Sequence, residues 1–158
     1  MIVGIGIDLV DIPRFEQTLE RTPRLRERLF SPSEQLLKPR SLAARYAAKE
    51  ALIKALGGSD GVHWTEIEIT PEASGRPWFT LTGSTAEVVA ARGITTLHLS
   101  MSHDAGLATA YVVAEAGGAP VAGADTAQVG AQGADTAAEA GAAPVPGADR
   151  AQEEEEEA

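Results

Sequence analysis

Residues 2–8 read Ile-Val-Gly-Ile-Gly-Ile-Asp, an apolar run with glycine at every second position, and this stretch constrains the fold more than any other. In an extended strand successive side chains point to opposite faces, so Val3, Ile5 and Ile7 share one face while Gly4, Gly6 and Asp8 share the other. The second face is bare up to its acid. A glycine in a strand allows another backbone or a ligand to come close, so this strand is made to lie against something. Asp8 then has two readings. It is a turn residue that, like Asp11, caps the next helix, or it is a carboxylate offered to a hard cation such as Mg²⁺, which takes carboxylate and phosphate oxygens.

The period changes along the chain. Asp11-Ile12-Pro13 opens a helix, with the acid as cap and proline tolerated in the first turn, and Thr22-Pro23 starts a second short helical piece. Ser31-Pro32-Ser33-Glu34 combines a cap, a proline at the first helical position and a glutamate three residues after the cap, which predicts a helix over 31–38. Pro39 interrupts it. Residues 41–57, SLAARYAAKEALIKALG, form the longest predicted helix, ended by Gly57-Gly58. Alternation from Trp64 to Thr70, a turn at Gly75-Arg76-Pro77 and a return from Trp78 to Leu81 predict a hairpin. Ser84 to Glu87 forms a capping box for a helix that Gly93 ends, and the strands 94–103 and 106–115 form a final antiparallel pair. The order predicts an α+β fold, a small antiparallel sheet packed with helices.

From about Gly117 no apolar periodicity remains. APVAGADTAQ at 119–128 returns as APVPGADRAQ at 143–152, and the chain closes on Glu153 to Glu157. The expected organisation is therefore a domain over 1–116 and a disordered Ala/Gly/Pro-rich acidic tail over 117–158. The tail carries nine acids and one arginine, so it holds −8 of the net −10. Between Arg14 and Lys54 the balance reverses, with ten bases and five acids. Such a segment suits a phosphate-bearing ligand or an acidic partner, or is a solvated helical face. Phe15, Phe30 and Tyr46 are its only aromatics and it carries no nucleic-acid-binding motif, so nucleic acid is not an expected partner. Absence of cysteine excludes disulfides and thiolate metal sites. With no apolar run near 18 residues and no leader pattern, the expected setting is cytoplasmic, with no membrane.

Two further places carry candidate chemistry. Lys49-Glu50 sits mid-helix, and Glu50 and Lys54, four apart, lie side by side, as a surface ion pair or as part of a site. Ala47, Ala48, Ala51 and Ala55 let that helix lie close to a strand or ligand, and a glutamate there is placed to join Asp8 around a cation. In LSMSHDAG at 99–106, His103 and Asp104 fall at a strand end, where a histidine donates to a phosphate, acts as a base, binds metal, or simply faces water. A Ser-His-Asp triad is not expected, because adjacent strand residues point apart and no nucleophile elbow is present, and there is no P-loop.

Taken in order and spacing, GIGIDLVDIPRFE, FSPSEQLL with ARYAAKEALIKALG, and LSMSHDAGLATAYVV resemble the holo-[acyl-carrier-protein] synthase family, the small phosphopantetheinyl transferases. The likeness spans residues 2 to about 115. It implies transfer of the 4′-phosphopantetheine arm of coenzyme A to a serine of an apo acyl carrier protein, releasing adenosine 3′,5′-bisphosphate, in fatty acid or polyketide biosynthesis. It implies Asp8 and Glu50 as Mg²⁺ ligands, the bare glycine face being room for metal and pyrophosphate, and Lys54 beside the pyrophosphate. Arg45 and His103 match positions near the coenzyme's 3′-phosphate, with Lys49 and Asp104 as further coenzyme contacts; Asp104 departs from the small hydroxyl residue often found there. Asp8, Glu50, Lys54 and His103 form the implied catalytic set. Arg14 matches a carrier-protein contact, and Arg21, Arg24, Arg26 and Arg28 extend that basic surface. The implied proton acceptor is Glu50 or a metal-held water, the water favoured because a carboxylate committed to a cation is a poorer base. A homotrimer with sites between subunits is also implied. The rival is a non-catalytic trimeric module that binds an acidic protein through the basic segment 14–54.

Overall fold

The first strand finds its partner at the far end of the domain. In the computed structural model, which describes residues 1–117 and the backbone of 128–129, β1 (Ile2–Asp11) pairs antiparallel with β5 (Leu107–Ala116), and β5 pairs with β4 (Ile94–Asp104). The sheet order is β1-β5-β4. Asp8 lies opposite Ala110, which lies opposite Met101, and Val10, Ala108 and His103 form the next row. One face of this sheet is covered by α3 (Pro39–Ala55). Leu97, Leu99, Ala108, Ala110, Val112 and Ala114 are buried there with Leu42, Ala47, Ala48, Ala51 and Leu52.

The glycine face of β1 is where that helix docks. A Cβ on Gly6 would stand 2.7 Å from the Ala55 nitrogen and overlap the Ala51 carbonyl oxygen, and one on Gly4 would overlap the Ala55 carbonyl oxygen. Real side chains do not come so near, so only glycine admits this approach. The expectation that this face leaves room for a pyrophosphate is corrected: helix backbone fills it, and the alanines of α3 meet the glycines of β1.

Elsewhere the elements follow local signals with two exceptions. Asp11 caps α1 (Ile12–Arg21) by accepting the Arg14 amide at 2.8 Å, and α2 (Leu25–Leu29) follows the Thr22-Pro23 signal. The helix expected over 31–38 is a single 3₁₀ turn, Glu34–Leu36. Its capping box does form, with the Ser31 amide donating to Glu34 at 3.1 Å. The turn cannot continue because Leu37 and Lys38 are extended, Lys38 being the residue before a proline. Pro39 begins α3 at its first position, where the missing amide costs nothing. Leaving α3, the Gly58 amide donates to Ile53 and Gly57 sits at φ +75°, a glycine-ended helix terminus.

β2 (Ile67–Pro71) and β3 (Pro77–Leu81) form the expected hairpin, preceded by a 3₁₀ turn at Trp64–Glu66, and the backbone of Gln128–Val129 pairs with β3 as β6. The second exception is α4 (Gly83–Ala91): its cap residue, Thr82, makes no side-chain cap bond. Glu66 caps it from outside, accepting the Thr85 amide and hydroxyl, both at 2.8 Å. Those bonds, the amide first, hold the Glu66 carboxyl below its ordinary value. The α+β expectation holds. The expected disordered tail lies outside the described residues except at 128–129. Among the described residues no helix is long and apolar enough to cross a membrane.

Candidate active site

Close packing of α3 on β1 brings two distant stretches of sequence to one place. Asp8, near the end of β1, faces the flank of α3 that carries Glu50 and Lys54. Lys54 Nζ donates to Asp8 Oδ1 at 2.6 Å and to the Ile7 carbonyl at 3.0 Å. The ammonium is half exposed and the carboxylate largely covered, so the pair sits at the lip of a cleft. That cleft, about 460 Å³, is walled by β1 residues 8–11, by Arg14, Phe15 and Thr18 of α1, by Leu25 and Leu29 of α2, and by Tyr46 and Glu50 of α3. Burial, and then the neighbouring negative charge of Asp8, push the Glu50 carboxyl above its ordinary value; Lys54 and a hydrogen bond from Tyr46 oppose the rise. Burial first, then the charges of Glu50 and Asp8, raise the Tyr46 hydroxyl as well, so it is a proton donor here. Tyr46 stacks on Trp64 at 5.2 Å and lies 5.1 Å from Phe15.

A carboxylate such as Glu50, whose ionised form is opposed by burial and by the neighbouring Asp8, is suited to added positive charge. Mg²⁺ is held by one or two carboxylates and completes its shell with phosphate oxygens and water. Among the described residues no third histidine or acid joins them to form a protein-only cage. Asp8 and Glu50 thus fit a cation shared with a phosphate-bearing ligand, and Lys54 already supplies one charge to Asp8.

Arg45 and His103 are brought together elsewhere. Arg45 is five residues before Glu50, about 140° round a helix of 3.6 residues per turn, so it leaves the opposite flank of α3. There Ser41, Ala44 and Arg45 meet Met101, Ser102 and His103 around a crevice of about 30 Å³. Arg40, a residue without a sequence signal for this role, donates to His103 Nδ1 at 2.6 Å. Within the chain the expected site residues form two groups divided by the helix.

One expected coenzyme contact is corrected. Lys49 is fully buried and ion-paired to Glu34 at 2.6 Å, with further bonds to the carbonyls of Leu29 at 2.8 Å and Trp64 at 3.1 Å. All three of its donors are used inside the core. Burial lowers its pKa and the Glu34 charge opposes that. Glu34, also buried, accepts the Ile69 amide at 3.0 Å, so this pair ties α3 to β2 and to the end of α2. Asp104 is exposed, and its carboxylate accepts the Ala105 amide at 2.8 Å in the β4–β5 turn. As the strand neighbour of His103 it belongs to the opposite sheet face.

Arg14, Arg21, Arg24 and Arg28 are exposed, and Arg14 and Arg21, seven residues apart, share one stripe of α1. Arg26 is half-buried, and its guanidinium donates to the Gln35 carbonyl at 2.8 Å and braces the loop before α3. Tyr46 was legible in principle, one helical turn before Glu50.

Residues 4–112 match the family model described as the 4′-phosphopantetheinyl transferase superfamily. The chain belongs to that superfamily. Within the superfamily it is 60% identical over 119 residues to a holo-[acyl-carrier-protein] synthase of Clavibacter sepedonicus, which spans 75% of this chain and 100% of that protein. The solved holo-[acyl-carrier-protein] synthase of Neisseria meningitidis superposes with a TM-score of 0.68 at 35% identity, covering 73% of this chain and 99% of that one. The Helicobacter pylori enzyme, solved in complex with coenzyme A, gives a TM-score of 0.63 at 38% identity, covering 70% and 99%. The superfamily match ends close to where β5 does, so the acidic residues beyond lie outside it.

Proposed function

We propose that this chain is a Mg²⁺-dependent holo-[acyl-carrier-protein] synthase of the cytoplasm, active as a homotrimer. It transfers the 4′-phosphopantetheine arm of coenzyme A to a serine of apo acyl carrier protein. The observation that carries the mechanism is the meeting of Asp8, Glu50 and Lys54 at the mouth of one cleft. In the reaction the serine oxygen bonds to the β-phosphorus, the bond from that phosphorus to the bridging oxygen breaks, and adenosine 3′,5′-bisphosphate leaves. The serine proton passes to water at the mouth of the cleft, and the departing phosphate leaves as a monoester dianion. Lys54 stands where negative charge grows on the departing phosphate, and its bond to Asp8 holds the ammonium in place beforehand. Asp8 and Glu50 would hold Mg²⁺, which when bound polarises the phosphoryl group. The exposed arginines of α1 and α2 beside the cleft suit an acidic carrier protein. Mass spectrometry of an apo carrier protein incubated with coenzyme A and Mg²⁺ tests this. The arm's mass must appear on the carrier; a substrate that stays apo while a control enzyme converts it rejects the reading.

Support for the trimer comes from the uncovered sheet face. Val3, Ile5, Ile7 and Leu9 are 46%, 53%, 57% and 61% exposed along one edge strand, with Tyr111 and Leu107 beside them. A continuous apolar face of this kind marks an interaction surface. Association also offers the two residue groups separated by α3 a way to meet, each from a different subunit. Ile5→Arg is expected to give a monomer by light scattering and to lower transfer at least about 10-fold, since a charge in an apolar interface costs several kcal/mol. A trimer that persists with full activity contradicts the assignment. The acidic tail we assign to no catalytic role: a chain ending at Gly117 should keep the transfer rate within about twofold, corresponding to less than about 0.5 kcal/mol, and a larger loss would give the tail a part in folding or assembly.

A further inference from the structure

The contact between Arg40 and His103 carries an inference beyond the catalytic set. A guanidinium has five N–H donors, no acceptor, and stays protonated. Since Arg40 Nη2 lies 2.6 Å from His103 Nδ1, the ring nitrogen must be the acceptor. The ring proton is therefore on Nε2, and the imidazole is a neutral donor with its second nitrogen free to aim elsewhere. The ring projects from β4 onto the face covered by α3, beside the crevice lined by Ser41, Arg45 and Ser102. We propose that Arg40 is a positioning residue for coenzyme recognition: it fixes His103 in the Nε2–H tautomer, so that this N–H and the nearby arginine charge select a ligand bearing a terminal phosphate monoester.

The proposal rests on the reading of this chain as a coenzyme A-dependent transferase, and it deepens that reading by adding a specificity element. Two features of Arg40 separate it from a residue that merely braces the fold. It is exposed, at the first turn of α3, and its guanidinium bonds the His103 ring. Its partner is a ring nitrogen that would otherwise be free to carry the proton, so its removal changes chemistry at His103 without opening a cavity. The neighbouring acid, Asp104, points its carboxylate into the turn at Ala105 and does not take over the bond to Nδ1.

The test compares coenzyme A with dephospho-coenzyme A, which lacks only the 3′-phosphate, on the full-length protein. Arg40→Ala is expected to raise KM for coenzyme A about 5- to 20-fold, as befits loss of a charge-assisted bond and its positioning, while KM for dephospho-coenzyme A and kcat for both stay within twofold. Arg40→Gln keeps a donor for Nδ1 without the charge and should recover part of the loss. Imidazole ¹⁵N spectra give a readout independent of turnover: His103 should show the Nε2–H tautomer in the wild type and a mixture in Arg40→Ala. If KM for both coenzymes rises together, or the tautomer is unchanged in the variant, the assignment is overturned. A wild type that transfers the arm but shows no preference for coenzyme A also overturns it, leaving the transferase reading intact. A wild type that transfers nothing rejects that reading and this one with it.

Discussion

Asp8→Asn and Glu50→Gln are each expected to lower phosphopantetheine transfer by about 10²- to 10³-fold, the range seen when one preorganised electrostatic group is removed from a phosphoryl or acyl transfer site. The pair should show less than the product of the single effects, because both groups serve one cation. Neither variant should unfold. Both residues stand at the rim of the cleft and not in the core, and an amide of the same shape leaves no cavity. In Asp8→Asn the ammonium of Lys54 keeps its bond to the Ile7 carbonyl. Initial rates from the mass of the carrier protein, together with a thermal melt, check both halves of the expectation. Rates within threefold of wild type would remove these carboxylates from the chemistry. Binding of the carrier protein should survive both changes, since its expected contacts are the arginines of α1 and α2; that separates the transferase from a binding module, which would lose nothing.

Gly6→Ala should be the most damaging single methyl group in the protein. The added carbon would fall within the Ala51 carbonyl oxygen and 2.7 Å from the Ala55 nitrogen, both of them backbone atoms of α3. A side chain could rotate away; a helix backbone has to move as a body. Overpacking of this kind costs about 3 kcal/mol or more, equivalent to a fall in Tm of roughly 10–20 °C for a domain this size. It should also separate Asp8 from Glu50 and Lys54, so activity falls below what loss of folded protein explains. Gly57→Ala provides the comparison. That glycine needs its left-handed backbone, φ +75°, but has nothing within 4 Å of a new Cβ, so the cost is only about 1 kcal/mol. Should Gly57→Ala prove the worse of the two, the packing account of the β1–α3 contact is wrong.

The same contact explains why parts of the site were legible in advance and parts were not. Asp8, Glu50 and Lys54 each had a local signal: an acid after a glycine-alternating strand, and an i, i+4 pair in a helix of small residues. Their meeting depends on glycine opposite alanine, a relation between residues more than forty positions apart. Lys49 had the same local signal as its neighbour Glu50, yet 100° further round the helix it enters the core and is neutralised by Glu34. Helical phase alone did not separate them, because α3 is covered on more than one side. Arg26 likewise looked like one of a series of surface arginines until the loop it braces was in place. Arg40 had no signal at all. Its partner lies 63 residues away, and the pairing needs the end of β4 beside the first turn of α3.

Local chemistry, then, was sufficient to place most elements: β1, α1 with its Asp11 cap, the long alanine-rich α3, the hairpin and the closing strand pair all follow from patterns of two or 3.6 residues, from caps and from turn glycines. These depend on neighbours in sequence. It also defined the bare face of β1. The tertiary structure alone decided what covers that face, which acid caps α4, which lysine is structural, and that the predicted site residues lie on two sides of one helix. Each of those outcomes is a competition for a partner distant in the chain, settled by which backbone can come close enough. At Gly4 and Gly6 only the helix can, so their place is taken by α3 and the site opens one step further along the strand, at Asp8.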